Sequence, residues 1–168
     1  DGTSEGLRIQ IVDERNRPMF DSGSAVLKDY MKDILRNLTK LLNQVPNKLT
    51  LSGHTDATPY AAGNKGYSNW ELSADRANAS RREMYTAGMP DQKILRVVGL
   101  ASSVSLDEKD PYAAVNRRIA IVVMNKRAEE AVRALANLDD GQDPGLIELP
   151  PVPKVEGLPF PKNGPSTN

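Results

Sequence analysis

The pattern of apolar and polar residues along the chain predicts four short strands. Residues 7–11 alternate strictly, which is typical of a strand with one buried face. Further short strands are predicted at 49–53 and 94–98. Residues 119–124 are apolar without interruption, which indicates a strand that is covered on both faces.

Spacings of three and four between apolar residues predict helices between these strands. Apolar residues recur in this way through 27–45, which indicates an amphipathic helix. A second helix is predicted to begin after Ser68, because Ser68 and Glu71 fit a capping box. Gly88 suits the position just beyond its end, since glycine readily adopts the left-handed conformation found there.

The order of the predicted elements is β-α-β-α-β-β, and the pattern allows a further short helix at 128–138. This order predicts an α+β fold in which helices pack on a small mixed sheet. Seven of the twelve prolines follow residue 139. We therefore predict a linker at 1–6, one folded domain at 7–138 and a Pro-rich, disordered tail at 139–168.

The composition argues against several classes of function. Lys+Arg and Asp+Glu both number 22, so the chain lacks the basic field of a nonspecific nucleic-acid binder, and no nucleic-acid partner is predicted. The absence of cysteine excludes disulfides and thiol catalysis. His54 is the single histidine, and with only Asp56 nearby in sequence it does not make a closed metal site, so no metal or other cofactor is predicted. The longest apolar run, 119–124, is too short to cross a bilayer.

Two segments carry candidate binding chemistry. On the second predicted helix Asn69, Ser73, Arg76 and Ser80 follow one another at spacings that place them on one face, although a solvated face has the same pattern. Asp56 follows the second strand, where a turn bond to nearby backbone N–H groups is the simpler interpretation.

A carboxylate and a guanidinium in one pocket would suit a zwitterionic amino-acid end group. Asp56 would accept from the ligand ammonium, and Arg76 would hold the carboxylate through two parallel hydrogen bonds. The alternative is that Asp56 and Arg76 pair with each other as a surface ion pair.

Three motifs resemble the signature of OmpA-like domains. They are Gly53-His54-Thr55-Asp56, then Asn69-x-x-Leu72-Ser73-x-x-Arg76-Ala77, then Asn116-Arg117-Arg118-Ile119, and the resemblance spans about 7–124. It implies the fold of the OmpA C-terminal domain and noncovalent binding of peptidoglycan, with Asp56 and Arg76 on the diaminopimelate of the stem peptide. The peptidoglycan-binding residues that it implies are Phe20, Asp21, Thr55, Asp56, Asn69, Leu72, Ser73, Arg76 and Arg118. For Arg118, bracing of the sheet is the alternative role.

Residues 69–79, with Arg81 and Arg82 after them, are similar to the MotB group of this family. This similarity implies the periplasmic domain of an inner-membrane protein that anchors the flagellar stator to the cell wall. It also implies a homodimer and a MotA-type stator subunit, reached through an N-terminal segment that this chain does not contain. The resemblance further implies a protein without catalysis, and the predicted loop at 57–68 is long enough to gate the pocket.

A cell-wall hydrolase that uses Ser73, His54 and Asp56 is the alternative from another class. His54 is the only conventional general base in the chain. Against this function, Ser73 is predicted inside a helix and no nucleophile elbow surrounds it. We therefore predict no catalytic residue.

Overall fold

The computed structural model describes residues 1–14, 16–61 and 66–137. The predicted tail at 139–168 lies outside the described residues, as do residues 62–65 of the predicted loop. The described chain forms the following elements in order: β1 (Gly2–Thr3), β2 (Gly6–Val12), α1 (Asp29–Leu42), β3 (Leu49–His54), α2 (Asn69–Thr86), β4 (Ile94–Gly99), β5 (Arg118–Met124) and α3 (Lys126–Asn137). Short 3-10 turns at Asp91–Lys93 and Ala114–Asn116 precede β4 and β5.

The five strands form one mixed sheet in the order β1-β2-β5-β3-β4. Strands β3 and β4 are parallel, and the other neighbours are antiparallel. The predicted α+β fold with helices on a small mixed sheet is confirmed. Strand β1 was not predicted. Gly2 and Thr3, which lie in the segment expected to be a linker, pair with Leu7 and Gly6. A two-residue strand has no alternation for a sequence pattern to show.

The core lies between the sheet and helices α1 and α2. Ile119 and Ile121 of the central strand β5 are almost fully buried on this side, and Ala120 and Val122 are buried on the other side. The prediction that this strand is covered on both faces is therefore confirmed. The apolar stripe of α1 is wider than its contact with the core, since Leu41 is 62% exposed.

Local sequence features define the two ends of helix α2, and a glycine allows the helix to pack closely on the sheet. The capping box of Ser68 and Glu71 is present, and Gly88 follows the helix with a φ of 101°. A Cβ at Gly53 of β3 would overlap the carbonyl oxygen of Ser73. Glycine is therefore required where β3 crosses α2, and this close contact brings the end of β3 beside the first turns of the helix.

Candidate functional site

A cleft of about 840 Å³ lies where the end of β3, the first turns of α2 and the loop before α1 meet. Its lining residues are Asp13, Pro18, Phe20, Ser22, Gly23, Lys28, Thr55, Asp56, Thr58, Pro59, Tyr60, Ala61, Asn69, Leu72, Arg76 and Arg117. The structure thus brings together six of the predicted site residues, which are Phe20, Thr55, Asp56, Asn69, Leu72 and Arg76.

Arg76 is the buried cation of the cleft, with 8% of its surface exposed. Its Nε donates to the carbonyl of Ser24 at 2.8 Å, and its Nη2 donates to the carbonyl of Asp21 at 3.4 Å. The guanidinium carbon lies 4.9 Å from the centroid of the Phe20 ring, within reach of a cation–π contact. Burial lowers the pKa of Arg76, and the charge of Asp13 opposes this shift. The loop before α1 therefore orients a guanidinium that stays charged at neutral pH.

Asp56 is a buried anion of the same cleft, with 7% of its surface exposed. Its Oδ1 accepts from the backbone N–H of Thr58 at 2.8 Å, which is the turn bond expected for an Asp in this position. Its Oδ2 accepts from Arg117 Nη1 at 2.6 Å. Burial raises the pKa of Asp56, but the hydrogen bonds from Arg117 and Thr58 outweigh burial and lower it below its ordinary value. Asp56 is therefore ionised at neutral pH.

Asp56 and Arg76 do not form a salt bridge with each other within the described part of the chain. The ion pairing of the cleft instead centres on Arg117, whose Nε donates to Asp13 at 2.9 Å. Asp13 in turn accepts from the backbone N–H of Met19 at 2.8 Å. Burial lowers the pKa of Arg117, but its two carboxylate partners, Asp13 and Asp56, raise it by more, so the net shift is upward.

Arg117 is a site residue that sequence reasoning missed, although the sequence contained a signal for it. Successive residues of a strand point to opposite faces. Arg117 has the same parity as Ile119 and Ile121, which pack in the core on the helix side. Arg118 therefore points to the other side of the sheet.

Arg118 is accordingly not in the cleft where the sequence prediction placed it. It is 5% exposed and donates to Gln10 Oε1 at 2.8 Å and to the carbonyl of Val104 at 3.0 Å. It also reaches the carbonyl of Asn116 at 3.3 Å. These contacts join β2, β5 and the loop before β5, which is the bracing role considered as the alternative.

Ser73 and Asp21 are also not among the residues that line the cleft. Ser73 is fully buried, donates to the carbonyl of Trp70 at 2.9 Å and accepts from the N–H of Ala101 at 3.0 Å. Asp21 contributes its backbone carbonyl to Arg76, and its carboxylate pairs with Lys28 at 2.5 Å on the rim. Both residues therefore support the walls of the cleft from outside it.

Ser73, His54 and Asp56, the residues of the hydrolase alternative, do not converge on one site. His54 is 6% exposed and lines a hollow on the opposite side of the sheet, together with Arg118. Its Nε2 lies 3.1 Å from Ser52 Oγ. Burial, together with the charges of Arg118 and Arg8, lowers the pKa of His54 to about 4. The three residues of the alternative site thus lie in three different environments, and the structure gives no support to the hydrolase alternative.

The described part of the predicted 57–68 loop forms one rim of the cleft. Tyr60 donates from its hydroxyl to the carbonyl of Gly23 at 3.2 Å, which joins this rim to the loop before α1. Its ring centroid lies 5.0 Å from that of Tyr67. Asn69 donates to the carbonyl of Thr58 at 2.8 Å and fixes the same loop to the start of α2. Hydrogen bonds therefore connect this rim both to the loop before α1 and to the start of α2.

Within residues 1–14, 16–61 and 66–137, no group of three His, Asp or Glu side chains is arranged to hold a metal ion. In the same ranges, none of the helices combines the length and the apolar character needed to cross a membrane.

Comparison with known proteins gives the following similarities. Residues 19–118 match the OmpA family. The chain is 59% identical over 132 residues to motility protein B of Escherichia coli K-12, covering 79% of this chain but 43% of that protein. It is 42% identical over 128 residues to a putative truncated flagellar export/assembly protein, LafU, of the same strain, covering 76% of this chain and 60% of that protein. The chain therefore spans less than half the length of the first of these relatives.

Two solved structures have the same fold. The periplasmic domain of Helicobacter pylori MotB matches with a TM-score of 0.64 and 16% identity, over 82% of this chain and 95% of that one. The cell wall anchor of the type VI secretion system of Pseudomonas aeruginosa matches with a TM-score of 0.57 and 24% identity, over 71% and 81% of the two chains. At these identities the structures establish a common fold.

Proposed function

The chain belongs to the OmpA family, and from this premise we propose that its cleft binds peptidoglycan noncovalently through the diaminopimelate of the stem peptide. The observation that carries the proposal is the pair of opposite charges in one cleft, Arg76 and Asp56, each buried and neither paired with the other. A free end group with an ammonium and a carboxylate complements such a pair.

The hydrogen bonds of Arg76 support its role as the carboxylate ligand. Its Nε and one Nη2 hydrogen donate to the carbonyls of Ser24 and Asp21. Among the described residues, Nη1 and the second Nη2 hydrogen have no acceptor, and together they form the end of the guanidinium. This end donates two parallel hydrogen bonds to a carboxylate, which a lysine ammonium cannot do.

The hydrogen bonds of Asp56 support its role as the ammonium acceptor. A carboxylate offers about four lone-pair positions, and Thr58 and Arg117 occupy two of them. Because the same two bonds keep the pKa of Asp56 low, the group is already charged before the ligand arrives. The ligand ammonium then meets a carboxylate that is ionised and fixed in position.

The direct test is sedimentation of the purified chain with isolated diaminopimelate-type sacculi. Arg76→Lys keeps the charge and Asp56→Asn keeps the shape, and each is expected to reduce the bound fraction strongly. Arg82→Ala is the matched control, since Arg82 is an exposed arginine of the same helix and does not line the cleft. Thermal unfolding of each variant separates lost binding from lost fold. Full binding by both folded cleft variants would remove the cleft from the account.

We also propose that the chain is the wall-anchoring, periplasmic part of a flagellar stator protein of the inner membrane, in which it acts as a homodimer with a MotA-type subunit and without catalysis. The relation to motility protein B supports this role. A chimaera in which this chain replaces the matching part of the E. coli protein should restore swimming to a strain that lacks it. The same chimaera with Asp56→Asn should not swim, and a swimming Asp56→Asn strain would contradict the anchoring role. Sacculi incubated with the chain should release no soluble fragments.

A further inference from the structure

The side of the sheet that faces away from α1 and α2 carries two adjoining hollows of about 360 and 330 Å³. They share Glu5, Thr50, Arg96 and Val122 as lining residues, so they form one continuous groove across the strands. We refer to it as the open-face groove. It lies on the side of Arg118 and His54, so it is separate from the cleft of Asp56 and Arg76.

The chemistry of the open-face groove is apolar in its floor and positive at its edges. Val98, Ala120 and Val122 contribute to the floor. Among the described residues, the charged ones that line it are Arg8, Arg96, Arg118, Arg127 and one carboxylate, Glu5.

Three of these arginines are available to an incoming anion. In the part of the chain that the structure describes, Arg8, Arg96 and Arg127 are exposed and take part in no salt bridge. The groove therefore suits a segment that carries both carboxylates and apolar side chains.

We propose that the open-face groove binds residues 139–149 of the same chain. This segment has the complementary pattern, since its charged residues are Asp139, Asp140, Asp143 and Glu148 and its apolar ones are Leu146, Ile147 and Leu149. The first cation after residue 138 is Lys154, beyond the end of the segment.

Helix α3 ends beside the groove, two residues before this segment begins in the sequence. Helix α3 ends at Asn137, and its residues Val132 and Leu135 line the groove, with Leu135 64% exposed. Eleven extended residues reach about 36 Å, whereas five strands are about 20 Å wide from the first to the last. The segment can thus cross the whole groove from where α3 ends.

The same observations disfavour a second copy of the chain as the occupant of the groove. A symmetric contact between two grooves would bring together two surfaces of net positive charge, which repel each other. A segment attached to the same chain is held near the groove at an effective concentration in the millimolar range, so even weak binding fills the site. The proposal does not depend on what the cleft binds.

The experiment uses the full chain, which contains no cysteine, so introduced cysteines are the only thiols. One double variant carries Val104→Cys in the groove and Ile147→Cys in the segment. Its matched control carries Tyr85→Cys with Ile147→Cys, because Val104 and Tyr85 are similarly exposed, at 52% and 59%, but Tyr85 does not line the groove. Intramolecular disulfide formation is followed on nonreducing gels at low protein concentration.

The Val104 pair is expected to form its disulfide roughly tenfold faster than the Tyr85 pair. Adding Arg96→Glu, or raising the salt to about 1 M, should reduce this rate to that of the control. Adding Asp143→Arg to the Arg96→Glu variant should restore it. Equal rates for the two pairs would overturn the proposal, and so would a product that migrates as a dimer, which would identify a second copy as the occupant.

Discussion

Replacement of Arg117 by alanine tests the electrostatic organisation of the cleft. Arg117 donates to Asp13 at 2.9 Å and to Asp56 at 2.6 Å, and the side chains of these two acids are only 6% and 9% exposed. Arg117→Ala therefore leaves two carboxylates buried without their cation. Removing one partner of a buried pair costs about 3–5 kcal/mol. Because the Arg117 side chain is itself 31% exposed, solvent screens part of its interaction with the two acids. We therefore expect Arg117→Ala to lower the free energy of unfolding by about 2–4 kcal/mol at neutral pH.

The loss of stability should depend on pH in a defined direction. In the parent chain the pKa of Asp56 is lowered below its ordinary value of 3.8, so its contribution is present above that pH and is lost as the pH falls through the lowered pKa. Without Arg117, burial acts with less opposition and raises the pKa of Asp56. Protonation then removes the buried charge from the variant first. The difference in free energy of unfolding between parent and variant should therefore shrink on acidification, beginning above pH 3.8.

Urea unfolding of the parent and the variant at a series of pH values measures this difference. Arg81→Ala is the control, because Arg81 pairs with the exposed Asp91 at 3.4 Å and such a pair contributes about 0–1 kcal/mol. A loss for Arg117→Ala that is no larger than that of Arg81→Ala, or that stays constant with pH, would refute the reasoning.

Three further predictions concern the fold, the histidine and the rim. Gly53→Ala should prevent folding, because its Cβ would overlap the Ser73 backbone. Gly2→Ala is the control, since Gly2 has open space around it, and it should leave the far-UV circular dichroism melt unchanged. A folded Gly53→Ala chain would contradict the close contact. The pKa of His54 is lowered to about 4, so it stays neutral above that pH, and sedimentation with sacculi should be constant between about pH 5.5 and 8, without a step near 6.5. Tyr60→Phe removes the hydroxyl bond to Gly23, and stopped-flow association of a muropeptide should become about two- to tenfold faster; an unchanged rate would show that this bond does not restrict entry.

The parts of the fold that were predicted are those with a strong local signal. Alternation identified β2, and the capping box identified the start of α2 at its first residue, Asn69. Strand β1 gave no signal, because it has only two residues and gains its hydrogen bonds from β2. The apolar residues of α1 exceed those that contact the core, as the exposure of Leu41 shows, so periodicity alone could not tell which side of the stripe is buried.

The candidate site was predicted only in part, because motif membership does not determine which way a side chain points. Asp56 and Arg76 line one cleft as expected. In the Asn-Arg-Arg motif, however, the sequence prediction chose Arg118, whereas the alternation of β5 places Arg117 on the side of the cleft. Ser73 shares a helix face with Arg76, but its hydroxyl donates to the carbonyl of Trp70 and accepts from the N–H of Ala101. The bond with Ala101 is a tertiary contact that spacing along the helix does not reveal.

The most direct measurement of the central claim is calorimetric titration of the chain with two muropeptides that differ only in diaminopimelate against lysine. Lysine lacks the second carboxylate, so Arg76 would remain without its partner in the complex, at a cost of about 1–3 kcal/mol. The diaminopimelate peptide is expected to bind about 5- to 150-fold more tightly, and Arg76→Lys should largely remove this preference. Equal affinity of the parent chain for the two peptides would contradict it.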